Sequence, residues 1–133
     1  MSSVNKVILL GNLGKDPEVR YLDNDRVRAS FSLATHETYR NKEGVRTKAT
    51  EWHNIVLWSS LAKIAEQYLV KGKQVYIEGR LATRSYLDKE GQTKSIVEIT
   101  GQRLVLLGRG EDQERSRESN DVHEAIIEDG LPF

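Results

Sequence analysis

Nine residues, Thr50 to Trp58 (TEWHNIVLW), hold both tryptophans of the chain. In an extended segment side chains alternate, so Trp52, Asn54, Val56 and Trp58 share one face and His53, Ile55 and Leu57 share the other. Both faces carry large apolar groups. If Ile55 and Leu57 line a core, the indoles must meet something else. They either fill an interface or offer flat surfaces to π partners such as nucleobases, which stack on exposed rings with little regard to sequence.

Cations interleave with rings elsewhere in a way that favours stacking. On the segment after Gln74, Arg80, Arg84 and Tyr86 share the parity of Tyr76, opposite to Val75, Ile77 and Leu81. Arg26 and Arg28 fall on the outward parity of their own segment, and Tyr39-Arg40 leads into a loop carrying Lys42, Arg46 and Lys48. Rings beside cations supply base stacking and phosphate attraction together. Tyr76, an outward ring on a strand, calls for cover by another surface.

Other chemistries lose support. The chain has no cysteine, and its three histidines (36, 53 and 123) have no metal-ligand spacing. No Walker A sequence is present. Gly11-Asn12-Leu13-Gly14 fits the GxxG pattern of KH domains, but it follows an apolar run and reads as a turn at a strand end. We expect no catalytic residue, no metal and no cofactor. The absence of a long apolar run and of a secretory pattern leads us to expect no membrane association and a cytoplasmic, nucleoid-associated protein.

The net charge of zero divides unevenly. Residues 1–110 hold 18 Lys and Arg against 12 Asp and Glu, a balance of +6, while residues 111–133 hold 2 against 8, a balance of −6. The stretch EDQERSRESND after Gly110 lacks the apolar content needed to repay ordering and is expected to be disordered. It ends on Glu128-Asp129-Gly130-Leu131-Pro132-Phe133. A solvating segment has no need of an aromatic end. Glu128, Asp129, Leu131, Pro132 and Phe133 instead suit a hydrophobic pocket rimmed by Lys and Arg on a partner.

The elements that must position these groups are mostly strands. Val7–Leu10 is an apolar run. Val27, Ala29, Phe31 and Leu33 alternate with polar residues, and Thr50–Trp58 follows a charged loop at 41–48. Leu61, Ile64, Ala65, Tyr68 and Leu69 form a helical stripe, with Ser59 or Ser60 as a cap and Gly72 as a stop. Strands at 74–81, 95–100 and 104–107 complete the body. This order predicts an all-β OB-fold, a five-stranded Greek-key barrel with one helix between its third and fourth strands. The boundaries are a binding domain at 1–109, a disordered acidic linker at 110–127 and a docking peptide at 128–133.

VNKVILLGNLGKDPEVRY, TEWHNIVLW, LAKIAEQYLVKGKQVYIEGRL and the terminal EDGLPF together resemble the bacterial single-stranded DNA-binding proteins. The likeness runs from residue 4 to about 108 and resumes at 128–133. It implies a homotetramer of OB-folds that binds single-stranded DNA without sequence preference during replication, recombination and repair, recruiting enzymes through the acidic tip. It also implies base stacking by Tyr39, Trp52, Trp58 and Tyr86, phosphate contacts by Lys6, Arg20, Lys71 and Arg84, and a subunit contact at His53. Lys42 and Arg80 join the phosphate set from the pattern of rings and cations. Asn54, Ser60, Ala82 and Ser85 are uncharged where members of that group often carry Arg or Lys. An OB-fold interaction subunit whose aromatics form protein interfaces is the alternative, and the Leu-Pro-Phe end argues against it.

Overall fold

The computed structural model describes residues 1–108 and the backbone of residues 126–128. The elements are β1 (Val7–Leu13), β2 (Glu18–Tyr21), a 3₁₀ turn (Asp23–Asp25), β3 (Val27–Arg40), β4 (Arg46–Trp58), α1 (Ser59–Tyr68), β5 (Gln74–Leu87), β6 (Thr93–Leu107) and β7 (Ile126–Glu128).

Five strands close on themselves in the order β1-β5-β6-β4-β3, and β3 returns to β1 through Asn12 opposite Ala34 and Leu13 opposite Leu33. All these pairings are antiparallel except β4 with β6, which run parallel at Ile55–Ile99 and Val56–Thr100. This is the OB-fold barrel expected from the strand order. Closure depends on Gly11, where a Cβ would lie 2.2 Å from the Ala34 carbonyl oxygen. Only glycine lets the two backbones come so close.

The barrel is filled by one cluster in which Val27, Leu33, Ile55, Leu57, Leu61, Val75, Ile77 and Leu104 are the largest fully buried side chains. The alternation Val27, Ala29, Phe31, Leu33 is buried as its period predicts. α1 seats Leu61, Ala62 and Ala65 in the same core.

Several expectations need correction. Tyr68 of the helical stripe is exposed, because the helix buries the narrower Leu61/Ala62/Ala65 face. Neither Ser59 nor Ser60 caps the helix. Trp58 occupies the cap position without a side-chain bond, and Ser59 has a positive φ of 56°. α1 ends at Tyr68, and Gly72 serves the following turn, donating its N–H to the Leu13 carbonyl. Leu81 is exposed, since the distal half of β5 leaves the barrel as a hairpin arm with β6. Val56, assigned to the indole face, is buried.

Strand lengths also differ. β3 and β4 pair out to Arg40–Arg46, so the loop shrinks to residues 41–45. The segments expected at 95–100 and 104–107 are one strand carrying a register shift opposite Glu78/Gly79. β2 and β7 are additional, pairing with β3 and β6 respectively. β7 lies across the boundary drawn between linker and docking peptide. The remaining expectations for the acidic segment, with Asp129, Leu131, Pro132 and Phe133, lie outside the described residues.

Candidate nucleic-acid interface

The two tryptophans sit at opposite ends of a trough along one side of β4. They stand six positions apart along the strand, about 20 Å. Trp52, opposite Ala34 of β3, is 57% exposed. Its ring lies against Gly14, where a Cβ would fall 2.4 and 2.8 Å from two ring carbons. The glycine of the GxxG pattern therefore supplies a flat bed for the indole. Gly14, Lys15, Ser32 and Trp52 line a shallow cavity of about 180 Å³.

Lys15 and Ser32 also border the next cavity, about 350 Å³, with Arg28, Asn54, Arg84 and Glu98 among its other walls. Arg28 and Arg84 continue into a third of about 420 Å³, shared with Glu18, Arg20, Leu22 and Trp58. These shared walls make one continuous path from indole to indole. At the far end, the guanidinium carbons of Arg26 and Arg28 lie 5.2 and 5.9 Å from the Trp58 ring centroid, within cation–π range.

The outer aromatics ride on the two hairpin arms. Tyr39 stands opposite Thr47 on the β3–β4 arm, and Tyr86 opposite Lys94 on the β5–β6 arm; both are exposed. Each arm is closed by an Asx turn. The Asn41 side chain accepts from the N–H groups of Glu43 and Val45, and the Asp88 side chain from those of Glu90 and Gln92. An Asx side chain that mimics a backbone turn fixes such an arm locally.

The expected cations divide between two places. Arg84 on β5 and Arg20 on β2 line the trough, Arg20 also pairing with Glu18 at 2.8 Å. Arg80 is exposed on β5, and Lys42 is exposed at the tip of the β3–β4 arm. Lys71 is exposed beyond α1, its N–H bonded to the Asp16 carboxylate at 2.7 Å. Lys6 sits apart from the trough, 3.1 Å from Glu78.

Glu78 centres a second cluster. It accepts the Tyr76 hydroxyl at 2.6 Å and pairs with Arg103 at 3.2 Å. These bonds, that from Tyr76 foremost and then that from Lys6, hold its carboxyl below the usual range. The same bond raises the Tyr76 phenol above its ordinary value, because ionising it would set two anions side by side. Lys6, Glu78 and Arg103 line a cavity of about 570 Å³ with Ser3, Val4, Asn5 and Gln102. His53 is half-buried, with Nε2 2.9 Å from Thr35 Oγ1, and His36 Nδ1 is 3.0 Å from Thr50 Oγ1.

Sequence reasoning missed Glu98, Gly14 and Arg103. Glu98 carries no signal of its own, an acid between Val97 and Ile99. Gly14 was visible as a motif glycine, but its contact with Trp52 depends on a long-range approach. Among the described residues no group of three or more His, Cys, Asp or Glu converges as a metal site, and no helix is long and apolar enough to cross a membrane.

Residues 4–107 match the model of the single-strand binding protein family. Single-stranded DNA-binding proteins of two Neisseria meningitidis serogroups, A and B, are each 48% identical over 106 residues. That match covers 80% of this chain but 61% of each relative, so the chain spans about three-fifths of their length. Among solved structures, a Plasmodium falciparum single-strand binding protein in complex with single-stranded DNA superposes with a TM-score of 0.74 at 34% identity, covering 81% of this chain and 98% of that one. On barrel, sequence and length of match, the chain belongs to the single-strand binding protein family.

Proposed function

We propose that the protein binds single-stranded DNA without sequence preference along the trough between Trp52 and Trp58. The observation that carries this reading is the continuity of the path, with an indole at each end and Arg28 and Arg84 between. Bases stack on Trp52 and Trp58 and, further out, on Tyr39 and Tyr86. Arg84, Arg20, Arg80, Lys42 and Lys71 meet phosphates. A strand of alternating rings and charges fits such a surface, whereas a stacked duplex hides its rings.

Self-association into a homotetramer is the second part of the reading. Ile8 and Leu10 of β1 are about half exposed, at 55% and 53%. Tyr76, His53 and the Lys6–Glu78–Arg103 cluster provide polar partners for a second copy. Lys6, expected as a phosphate contact, lines no trough cavity and is grouped with that face by its pairing with Glu78. The biological role is coverage of exposed strands in replication, recombination and repair, in the cytoplasm at the nucleoid. Glu128, Asp129, Leu131, Pro132 and Phe133 recruit partner enzymes there.

Titration of intrinsic Trp fluorescence with oligo-dT and with a matched duplex tests the binding. Strong quenching by the single strand and weak quenching by the duplex are expected, and equal affinities would refute the assignment. Deleting Gly130–Phe133 should abolish capture of replication and repair enzymes while leaving oligo-dT affinity near wild type. Undiminished capture would reduce the tip to a solvated end.

A further inference from the structure

Arg28 from β3 and Arg84 from β5 converge on one carboxylate, that of Glu98 on β6. Arg84 approaches it with two nitrogens, Nη2 at 3.1 Å and Nε at 3.3 Å, while Arg28 Nη2 lies at 3.5 Å. The Glu98 side chain is 13% exposed and Arg84 is 52% exposed, so the anion is the better covered partner and the cation faces the trough. All three residues line the central cavity between the two indoles. Arg28 is tied a second time by its position over the Trp58 ring.

One carboxylate neutralises one of two guanidiniums, leaving the cluster at +1. A phosphate that enters must compete with Glu98 for donors already in use, and at this range salt screens the repulsion only in part. Two arginines alone would hold a phosphate more tightly. We propose that Glu98 is an affinity-limiting residue of the DNA site: it shares Arg28 and Arg84 with the phosphate backbone and lowers the electrostatic part of binding by about one charge. This inference rests on the trough being the DNA site.

Oligo-dT titrations across a series of salt concentrations read the effect as the slope of log affinity against log salt. For single strands that slope changes by about 0.7 for each phosphate neutralised. Glu98→Gln should bind more tightly at low salt, with a slope steeper by about 0.7, which is a gain over wild type of about fivefold for each tenfold reduction in salt. Arg84→Gln should make the slope shallower by a similar amount, and the double variant should return to the wild-type slope. Glu66→Gln removes an acid on α1 that lines none of the trough cavities, and serves as the control for net charge. Circular dichroism melts establish that each variant is folded, and the Arg84→Gln arm stands if Glu98→Gln is not. A Glu98→Gln slope that is unchanged or shallower, an equal steepening in Glu66→Gln, or an unchanged slope in Arg84→Gln would each overturn the inference. Failure of the wild-type protein to bind oligo-dT would instead refute the trough as a DNA site.

Discussion

Two carboxylates in this barrel each hold two cations, and they do so in different company. Glu98 pairs with Arg28 and Arg84 between two tryptophans, one of them 57% exposed. Glu78 pairs with Lys6 and Arg103 and also accepts the Tyr76 hydroxyl. Both clusters carry the same net charge. Each acid takes three contacts; what separates them is the third donor, a second guanidinium nitrogen at Glu98 and a tyrosine hydroxyl at Glu78, and the neighbouring surface. The Glu98 cluster leaves a half-exposed guanidinium beside rings, which suits a ligand of alternating charge and π surface. The Glu78 cluster also leaves a half-exposed cation, Lys6, but it lies beside the exposed Ile8 and Leu10 of β1, which suits a second protein surface. Under the proposed function, equal charge arithmetic serves two kinds of partner.

Removing the open indole should break the trough's side of this comparison most severely. Trp52→Ala is expected to lose about 1–3 kcal/mol of oligo-dT affinity, a general range for base–aromatic stacking that already draws on proteins of this family. That is roughly five- to 150-fold. Its salt slope should stay near wild type, because no cation leaves. Titration at two salt concentrations measures both quantities, and a loss under twofold would show that Trp52 is not a platform.

Trp58→Ala should cost less affinity but disturb the salt dependence. Its ring already carries Arg26 and Arg28, so a base finds less free surface there, and its loss releases both arginines from their support. A few-fold loss with an altered slope is expected, and Trp58→Phe should recover most of it, since a phenyl face also attracts cations. A loss equal to that of Trp52→Ala at an unchanged slope would mean that the two ends of the trough work alike.

Gly14→Ala acts on the same platform from beneath. The new methyl would fall within 3 Å of two Trp52 ring carbons, so the indole must tilt or lift. A few-fold loss of affinity and a shift in Trp emission are expected without DNA. The same substitution in a Trp52→Ala background should change affinity little, because the ring it disturbs is gone. Independent, additive losses would show that Gly14 acts on the backbone turn instead.

Much of the scaffold was legible because it rests on local regularities. The period of two in Val27–Leu33 and the stripe beginning at Leu61 are imposed by which side chains must leave water; the first landed in the core, and so did Leu61, Ala65 and Leu69 of the second, with Tyr68 left exposed. The face shared by Trp52 and Trp58 followed from alternation alone, and the trough does run between them. Alternation failed where strands bend or leave the barrel. Leu81 lies on the inward parity yet is exposed, because β5 continues into an arm with no core beneath it. Val56 lies on the indole parity yet is buried. Glu98 was illegible because its meaning lies in two arginines, one 70 residues away on β3, brought together only by barrel closure. The short β2 and β7 pair through backbone groups, which leave almost no side-chain pattern to read.

The smallest effect on DNA binding should come from the Glu78 cluster, where acid and alkali sharpen the comparison. The Glu78 carboxyl is held below 4.5, so it contributes stability that is present above the carboxyl's unfolded value and is lost as pH falls through its folded value. Tyr76 is raised above 10.0, so its contribution is complete below that value and is lost as pH rises through the folded one. The melting-temperature gap between wild type and Glu78→Gln should therefore hold through neutral pH and narrow below about 4.5, where both side chains become uncharged. The gap between wild type and Tyr76→Phe should narrow above about 10 instead. Glu78→Gln should also weaken self-association, read by light scattering at neutral pH, while the oligo-dT salt slope stays at the wild-type value. A slope that steepens as in Glu98→Gln would place the Glu78 cluster on the DNA path and erase the distinction between the two carboxylates.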